Sequence, residues 1–217
     1  MGKKTEDCRL YVGGGCQENV LENTEVNSRA TIYLNLAAVL LMGLDNEKWD
    51  DFIRQNNLEI CHYRDTDDFN SFYNIFLKNL HTVIATHVAQ RNKTECRGME
   101  YNPCPLHSAF INDCIDRGKD MMEGGARYNF GSVSLTGIGT IIDSLFAVKE
   151  LIYTKKMLSL RKLNEILKTN FEGEETLRQY IINRIPKYGR NEELKSFSQT
   201  VFSDIAKASG GMENTRG

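Results

Sequence analysis

The stretch Tyr11-Val12-Gly13-Gly14-Gly15-Cys16-Gln17-Glu18-Asn19 decides how this sequence is interpreted. Glycine adopts positive φ angles freely, so a run of three glycines can form a tight loop that other residues do not tolerate. Such a loop would present a thiol, Cys16, and a carboxylate, Glu18, at Cys-x-Glu spacing. These groups are a nucleophile or radical carrier and a general base. From these residues alone, the alternative is a glycine turn with a buried cysteine and a solvated glutamate.

Charge and hydropathy exclude two classes of partner. The 217 residues carry a net charge of −2, and the acidic and basic residues are interspersed. A nucleic-acid-binding protein needs a clustered basic surface, so nucleic acid is not expected as a partner. The longest apolar run, 34–44, is too short to cross a bilayer, and no secretory signal follows the N-terminal lysines. We therefore predict a cytoplasmic protein with no membrane partner.

The cysteines predict neither a disulfide framework nor a metal site. Six cysteines in a chain of 217 residues are too sparse for a disulfide-stabilised scaffold, and no Cys-x-x-Cys pair occurs. Cys104 and His107 have the spacing of zinc ligands, but no second pair stands at a suitable distance. We therefore expect no bound metal.

Apolar periodicity predicts a helix-rich α/β chain. A short strand is predicted at 130–135, where apolar and polar residues alternate. The segment 91–105 contains two prolines and is predicted to be a loop. Asn46 and Ser159 are predicted helix caps, and the acidic run 65–68 is predicted to begin a helix. The predicted helices span 29–44, 47–55, 69–90, 106–122, 137–153, 160–169, 172–185 and 191–209.

Four further blocks of sequence follow the Gly-Cys-x-Glu loop. The blocks are 113–120 (DCIDRGKD), 124–130 (GGARYNF), 137–140 (GIGT) with 143–149 (DSLFAVK), and 170–178 (NFEGEETLR) with 186–189 (PKYG). The loop and these blocks resemble the glycyl radical enzymes related to pyruvate formate-lyase, follow that family's order and span almost the whole chain. We therefore identify the chain as a member of this family.

The resemblance implies a fold and a chemistry. The fold is α/β, a helix-rich fragment of the ten-stranded α/β barrel of glycyl radical enzymes, whose active site lies at the tip of a cysteine loop. Cys16 matches the position of the thiyl radical, which takes a hydrogen atom from a small-molecule substrate. Glu18 matches the base of the dehydratase and amine-lyase branches, in which a shielded carboxylate would have a raised pKa. Gln17 replaces the second cysteine of the formate-lyases proper, which disfavours acyl transfer.

The resemblance also predicts what lies outside this chain. Residues 1–217 correspond to a single partial domain, with the N-terminal barrel half and the C-terminal glycyl radical domain expected elsewhere. No cofactor is expected on this chain, because a radical-SAM activase installs the glycyl radical on the missing domain. The full-length form could be a homodimer.

The sequence leaves three alternatives open. One is a truncated, non-catalytic fragment that would be poorly soluble or oligomeric on its own. Within the family, the formate acetyltransferase type and the arylacetate decarboxylase type are the others.

Overall fold

The computed structural model describes residues 2–14, 18–44, 47–64 and 66–216. Within these ranges, side chains are described except at positions 14, 18, 28–32 and 193. The chain forms two compact units, and each is built from segments that are distant in sequence. The first unit comprises Met1–Tyr33, His87–Ser134 and Met212–Gly217, and the second comprises Leu34–Thr86 and Leu135–Gly211.

Two pairs of strands are present in the described part of the chain. Strands β1 (Tyr11–Gly14) and β2 (Glu18–Leu21) form an antiparallel pair. Strands β3 (Glu25–Asn35) and β4 (Tyr128–Thr136) form the other pair. The strand predicted at 130–135 is confirmed by β4, which is longer at both ends.

The helix predicted at 29–44 is wrong over its first half. Residues up to Asn35 belong to β3, and helix α1 spans only Leu36–Met42. β-Branched and aromatic residues such as Thr31 and Tyr33 favour an extended backbone, and pairing with β4 stabilises it. The Asn35 side chain then caps α1 by accepting a hydrogen bond from Ala37 N at 3.0 Å.

Helix α3 (Phe69–Tyr101) confirms the helix predicted at 69–90 and continues 11 residues further. Asp68 begins it, because Asp68 Oδ1 accepts hydrogen bonds from the backbone N–H groups of Asn70 and Ser71 at 2.8 and 3.0 Å. The loop predicted at 91–105 is therefore wrong: no proline interrupts 91–101, and the first one lies at position 103. The apolar face predicted for this helix is buried at Phe72, Phe76, Leu80, Val83 and Ile84.

The helix predicted at 106–122 is also wrong. This segment contains helices α4 (Pro105–Ser108) and α5 (Cys114–Arg117) and a 3₁₀ turn at Met121–Glu123. Asp113 interrupts a continuous helix because its φ of 75° lies in the left-handed region. The Asp120 side chain satisfies nearby backbone donors by accepting hydrogen bonds from Cys104 N and Met122 N, both at 2.8 Å.

The remaining helices lie in the second unit, close to their predicted positions. Ser159 is confirmed as a cap, because its Oγ accepts a hydrogen bond from Lys162 N at 3.2 Å. The predicted cap Asn46 lies outside the described residues. Helix α6 packs against both α1 and α9 to form the core of this unit. The elements are α2 (Asp50–Gln55), preceded by a 3₁₀ turn at Glu47–Trp49; α6 (Ile138–Val148), continued by a π-helical turn at Lys149–Thr154; α7 (Leu160–Lys168); α8 (Glu175–Arg184); and α9 (Glu193–Ser209).

Candidate functional site: the β1–β2 hairpin

Of the predicted site residues, Cys16 lies between β1 and β2 in the chain and Glu18 is the first residue of β2. The antiparallel register pairs Tyr11 with Leu21 and Gly14 with Glu18. The paired residues Gly14 and Glu18 therefore lie two positions before and two positions after Cys16 in the chain. Cys16 itself and the side chain of Glu18 lie outside the described residues, so their roles stay predictions.

The two paired residues at the open end of the hairpin, Tyr11 and Leu21, differ in burial. Leu21, at the root of β2, is buried, whereas the Tyr11 side chain is 59% exposed. A Cβ atom added at Gly13 would meet no atom within 4 Å. The Tyr11 hydroxyl donates a hydrogen bond across the strands to Asn19 Oδ1 at 3.1 Å. Burial of Leu21 therefore anchors the open end of the hairpin through β2, and the hydrogen bond between Tyr11 and Asn19 adds a side-chain contact to the backbone pairing of the two strands.

A buried carboxylate holds the root of β2. The Glu25 side chain is only 2% exposed, and its Oε2 accepts a hydrogen bond from Leu21 N at 3.2 Å. Lys3 Nζ donates to the same oxygen at 2.5 Å and lies 5.0 Å from the centre of the Phe130 ring. A buried charge is tolerated when it is paired and hydrogen-bonded, as Glu25 is here.

The turn that follows β2 is fixed by residues that are distant in sequence. Thr24 is fully buried, and its carbonyl accepts a hydrogen bond from Tyr128 N at 3.2 Å. Asn112 contributes two more hydrogen bonds, from its backbone N to the Asn23 carbonyl at 2.7 Å and from its Nδ2 to Thr24 Oγ1 at 3.2 Å. The polar groups of the buried Thr24 therefore have hydrogen-bond partners.

A second carboxylate holds the segment that leads into β1. Asp7 begins a 3₁₀ turn, Asp7–Leu10, and its side chain is 7% exposed. Its Oδ1 accepts a hydrogen bond from Arg127 Nη1 at 3.0 Å, and its Oδ2 accepts one from the Tyr128 hydroxyl at 2.8 Å. The Tyr128 pKa is raised: the hydrogen bond from Lys4 N lowers it, but partial burial and the Asp7 carboxylate outweigh that effect.

Arg127 is itself oriented by a third carboxylate. Its Nε and Nη2 donate to the two oxygens of Asp113 at 3.1 and 2.8 Å, which is the bidentate geometry preferred by guanidinium and carboxylate groups. These hydrogen bonds are the main reason that the pKa of Asp113 lies below its ordinary value and that the pKa of Arg127 is raised. Both groups therefore remain charged at neutral pH.

Gly124 and Gly125, in the block at 124–130, allow the chain to place Arg127 and Tyr128 where they form these contacts. A Cβ atom at Gly125 would lie 2.2 Å from the Lys119 carbonyl oxygen. Gly124 has a φ of +83°, and a Cβ atom there would lie 2.5 Å from the Arg216 carbonyl oxygen. Only glycine fits both positions, because it has no Cβ atom and adopts positive φ without strain.

Sequence reasoning missed Asp7 and Glu25 as residues that hold the hairpin. It included Arg127 and Tyr128 in a block of resemblance without assigning them a role. No local signal marks the pairing, because Asp7 and Arg127 are separated by 120 positions in the chain.

Other parts of the described chain offer weaker sites. A mainly apolar groove of about 280 Å³ lies in the second unit, among α1, α6 and α7. Its charged groups serve the fold: Asp143 accepts a hydrogen bond from Tyr188 N, and Lys187 donates one to the Ile181 carbonyl. Cys114 is buried, and burial raises the pKa of its thiol, which disfavours thiolate chemistry.

Neither a metal-ligand cluster nor a membrane-spanning helix occurs in the described part of the chain. Residues 2–14, 18–44, 47–64 and 66–216 contain no group of three or more His, Cys, Asp or Glu side chains that could hold a metal ion. None of the helices in the same ranges has the length and apolar character needed to cross a membrane.

Known proteins resemble this chain over its whole length. The family described as pyruvate formate lyase-like matches residues 1–217. Trans-4-hydroxy-L-proline dehydratase of Clostridioides difficile is 34% identical over 207 residues, which cover 95% of this chain and 26% of that protein. Isethionate sulfite-lyase of Nitratidesulfovibrio vulgaris is 28% identical over 203 residues, which cover 90% of this chain and 23% of that protein.

A solved structure shows the same fold. The crystal structure of the C. difficile hydroxyproline dehydratase with trans-4-hydroxy-L-proline bound matches with a TM-score of 0.89 and 32% identity, covering 100% of this chain and 27% of that one. This match confirms the predicted fold class, a helix-rich α/β segment of the glycyl radical enzyme barrel. The chain spans about a quarter of the length of these relatives.

Proposed function

Because this chain belongs to the pyruvate formate lyase-like family of glycyl radical enzymes, we propose that it carries the cysteine loop of a radical dehydratase or lyase. The observation that supports this most directly is the pairing of Gly14 with Glu18, which flank Cys16. An antiparallel hairpin is a defined support from which a reactive side chain can be presented to a substrate.

Cys16 is the proposed hydrogen carrier. The family's glycyl radical, carried outside this segment, would take the hydrogen atom of the Cys16 S–H bond, so that a C–H bond forms on the glycine and a thiyl radical is left on Cys16. The Cys16 sulfur, as a thiyl radical, takes a hydrogen atom from a substrate carbon, so that a C–H bond breaks homolytically and an S–H bond forms. At the end of the cycle the thiol returns a hydrogen atom to the product radical. Cys16 is thereby returned to the thiyl state, and taking a hydrogen atom back from the glycine would restore both the thiol and the glycyl radical.

Glu18 is the proposed general base. Removing a hydrogen atom from a carbon that bears a hydroxyl group leaves an α-hydroxyalkyl radical. The Glu18 carboxylate accepts the hydroxyl proton, and the resulting ketyl radical expels the neighbouring group with its bonding electron pair. A carboxylate in a water-excluded site has a raised pKa, which suits it to this proton transfer.

The names of the relatives support elimination as the reaction class. One is named a dehydratase of trans-4-hydroxy-L-proline and another a sulfite-lyase, so their names describe the loss of water and of sulfite. The proposed substrate is therefore a small molecule with a hydroxyl or amino group beside a leaving group. Gln17, in place of a second cysteine, disfavours acyl transfer. Decarboxylation is the alternative that Cys-x-Glu does not separate from elimination.

The rest of the proposal follows from family membership. The glycyl radical would be carried outside this segment and installed by a radical-SAM activase. Residues 1–217 would then be one part of a longer catalytic domain in a cytoplasmic enzyme. If this 217-residue chain has catalytic activity of its own, that division of roles is wrong.

Substitution of the two site residues in the full-length protein that carries this segment tests the proposal. Cys16→Ala is expected to abolish turnover and to leave glycyl radical formation detectable by electron paramagnetic resonance. Glu18→Gln is expected to lower kcat by about 10² to 10⁴, the usual contribution of a general base. Glu22→Gln, an exposed glutamate just beyond β2, is the matched control and is expected to retain wild-type activity. Turnover by Cys16→Ala would refute the proposal, and wild-type elimination by Glu18→Gln would refute the base assignment.

A further inference from the structure

We propose that Arg127 and Tyr128 are positioning residues for the cysteine loop. They do this through hydrogen bonds to the segment that precedes β1 and to the turn that follows β2. The inference rests on the proposed role of Cys16 and adds residues that would act through it. None of the contacts involved includes the hairpin tip itself.

Arg127 and Tyr128 form hydrogen bonds on both sides of the hairpin. On the β1 side, Arg127 Nη1 and the Tyr128 hydroxyl donate to the two oxygens of Asp7, which lies four positions before Tyr11. On the β2 side, the backbone N–H of Tyr128 donates to the carbonyl of Thr24, which lies three positions after Leu21. Tyr128, the first residue of β4, and Arg127 just before it therefore connect the segment that precedes β1 to the segment that follows β2.

Arg127 and Tyr128 are themselves held in place by contacts with other residues of the first unit. The bidentate pair with Asp113 fixes the plane of the Arg127 guanidinium, and Arg117 Nη1 donates to the carbonyl of Ala126 at 2.8 Å. The Tyr128 ring stacks on the Phe130 ring with 6.4 Å between the centroids and 14° between the planes. Asp113 holds a φ of 75°, a conformation that costs a non-glycine residue free energy and is retained where surrounding contacts impose it.

Small movements at the root would be amplified at the tip. A strand rises about 3.3 Å per residue, so the hairpin reaches roughly 10 Å from its root to Gly14. A tilt of about 6° at the root would then displace the tip by about 1 Å. A misplacement of about 1 Å can cost on the order of 10²-fold in rate. The hydrogen bonds of Arg127 and Tyr128 would therefore affect the reaction rate, although neither residue contacts a substrate.

A purely structural role predicts a different result. Loss of folded protein lowers the amount of active enzyme, whereas misplacement of the loop lowers kcat per folded, radical-bearing enzyme. The ratio of kcat to radical content separates the two, because the radical is formed outside this hairpin. KM is expected to change little, since the positioning residues do not contact the substrate.

The experiment uses the activated full-length protein that carries this segment. Arg127→Gln removes the charge, Tyr128→Phe removes one hydroxyl and keeps the ring stack, and Arg127→Lys restores the charge without the bidentate fork. Arg97→Gln, at an exposed arginine of α3 in the same unit, is the control. Radical content by electron paramagnetic resonance, kcat and KM are measured for each.

Normalised to radical content, kcat is expected to fall about 10- to 100-fold for Arg127→Gln and about 3- to 10-fold for Tyr128→Phe. KM should stay within about twofold, Arg127→Lys should recover part of the loss, and Arg97→Gln should match wild type. Wild-type normalised kcat for Tyr128→Phe overturns the proposal even if Arg127→Gln fails to fold. An equal loss in Arg97→Gln also overturns it. If Cys16→Ala retains turnover, the proposed function fails as well, whereas an inactive Cys16→Ala with normal Arg127 and Tyr128 variants refutes this inference alone.

Discussion

Gly125→Ala is expected to destabilise the first unit, because a new methyl group would enter occupied space. The added Cβ would lie 2.2 Å from the Lys119 carbonyl oxygen and 2.9 Å from Cys114 Sγ. The first contact is with backbone, which cannot rotate away as a side chain can. Reaching an ordinary separation of 3.4 Å would require a displacement of about 1.2 Å.

The surrounding hydrogen bonds resist that displacement. Lys119 N donates to the Cys114 carbonyl at 3.1 Å, and Gly125 N donates to the Asp120 carbonyl at 3.0 Å. Overpacking typically costs about 1–3 kcal/mol. Replacing glycine also restricts the unfolded chain, which offsets about 0.4–1 kcal/mol of that cost. The free energy of unfolding is therefore expected to fall by up to about 2 kcal/mol.

Thermal and urea unfolding of this chain, followed by circular dichroism, measure the effect. In a chain of this length a loss of about 2 kcal/mol lowers Tm by roughly 4–8 °C. Gly98→Ala is the matched control, because Gly98 lies inside α3 and an added Cβ there meets no atom within 4 Å. The control is expected to raise stability by about 0.5–1 kcal/mol. Equal or greater stability of Gly125→Ala relative to wild type would refute the steric reasoning.

Two further perturbations test other parts of the structure. The pKa of Asp113 is held below its ordinary value of 3.8 chiefly by Arg127, so its stabilising effect is present above pH 3.8 and is lost as the pH falls through the folded-state pKa. Asp113→Asn should cost about 1–2 kcal/mol at pH 7 and weaken the acid dependence of urea unfolding below pH 4; an unchanged acid dependence would contradict this pairing. Gly43→Ala would place a Cβ 2.4 Å from Cε2 of Tyr63, whose side chain is almost fully buried, and should lower stability by about 2–3 kcal/mol in the same assay. A Tm unchanged within error would show that the Tyr63 ring can move aside.

The sequence predicted best those elements whose signals are local. Ser159 identified the start of α7, and the acidic run ending at Asp68 identified the start of α3, because a cap acts on backbone N–H groups two or three residues away. The buried face of α3 was predicted because its apolar residues recur at helical spacing. The full length of α3 was not predicted, because its C-terminal part is held by distant residues: Glu95 contacts Thr215 and Arg216.

The sequence also failed where strand pairing decided the conformation. Residues 29–35 have apolar content that suits either a helix or a strand, and pairing of β3 with β4 selects the strand. Since the two strands are about 100 positions apart in the chain, no local window contains that information. The left-handed backbone conformation of Asp113 also could not be predicted from neighbouring residues, because the guanidinium that pairs with Asp113 belongs to Arg127.

For the candidate site, the sequence by itself determined the chemistry that is proposed. Cys16 and Glu18 were identified from their spacing after three glycines and from ordered blocks that resemble one enzyme family. Only the tertiary structure showed how the loop is supported, since a carboxylate at position 7 and a guanidinium at position 127 meet only once the chain has folded. Reactive groups can be recognised by type and spacing, whereas the contacts that hold them depend on long-range packing.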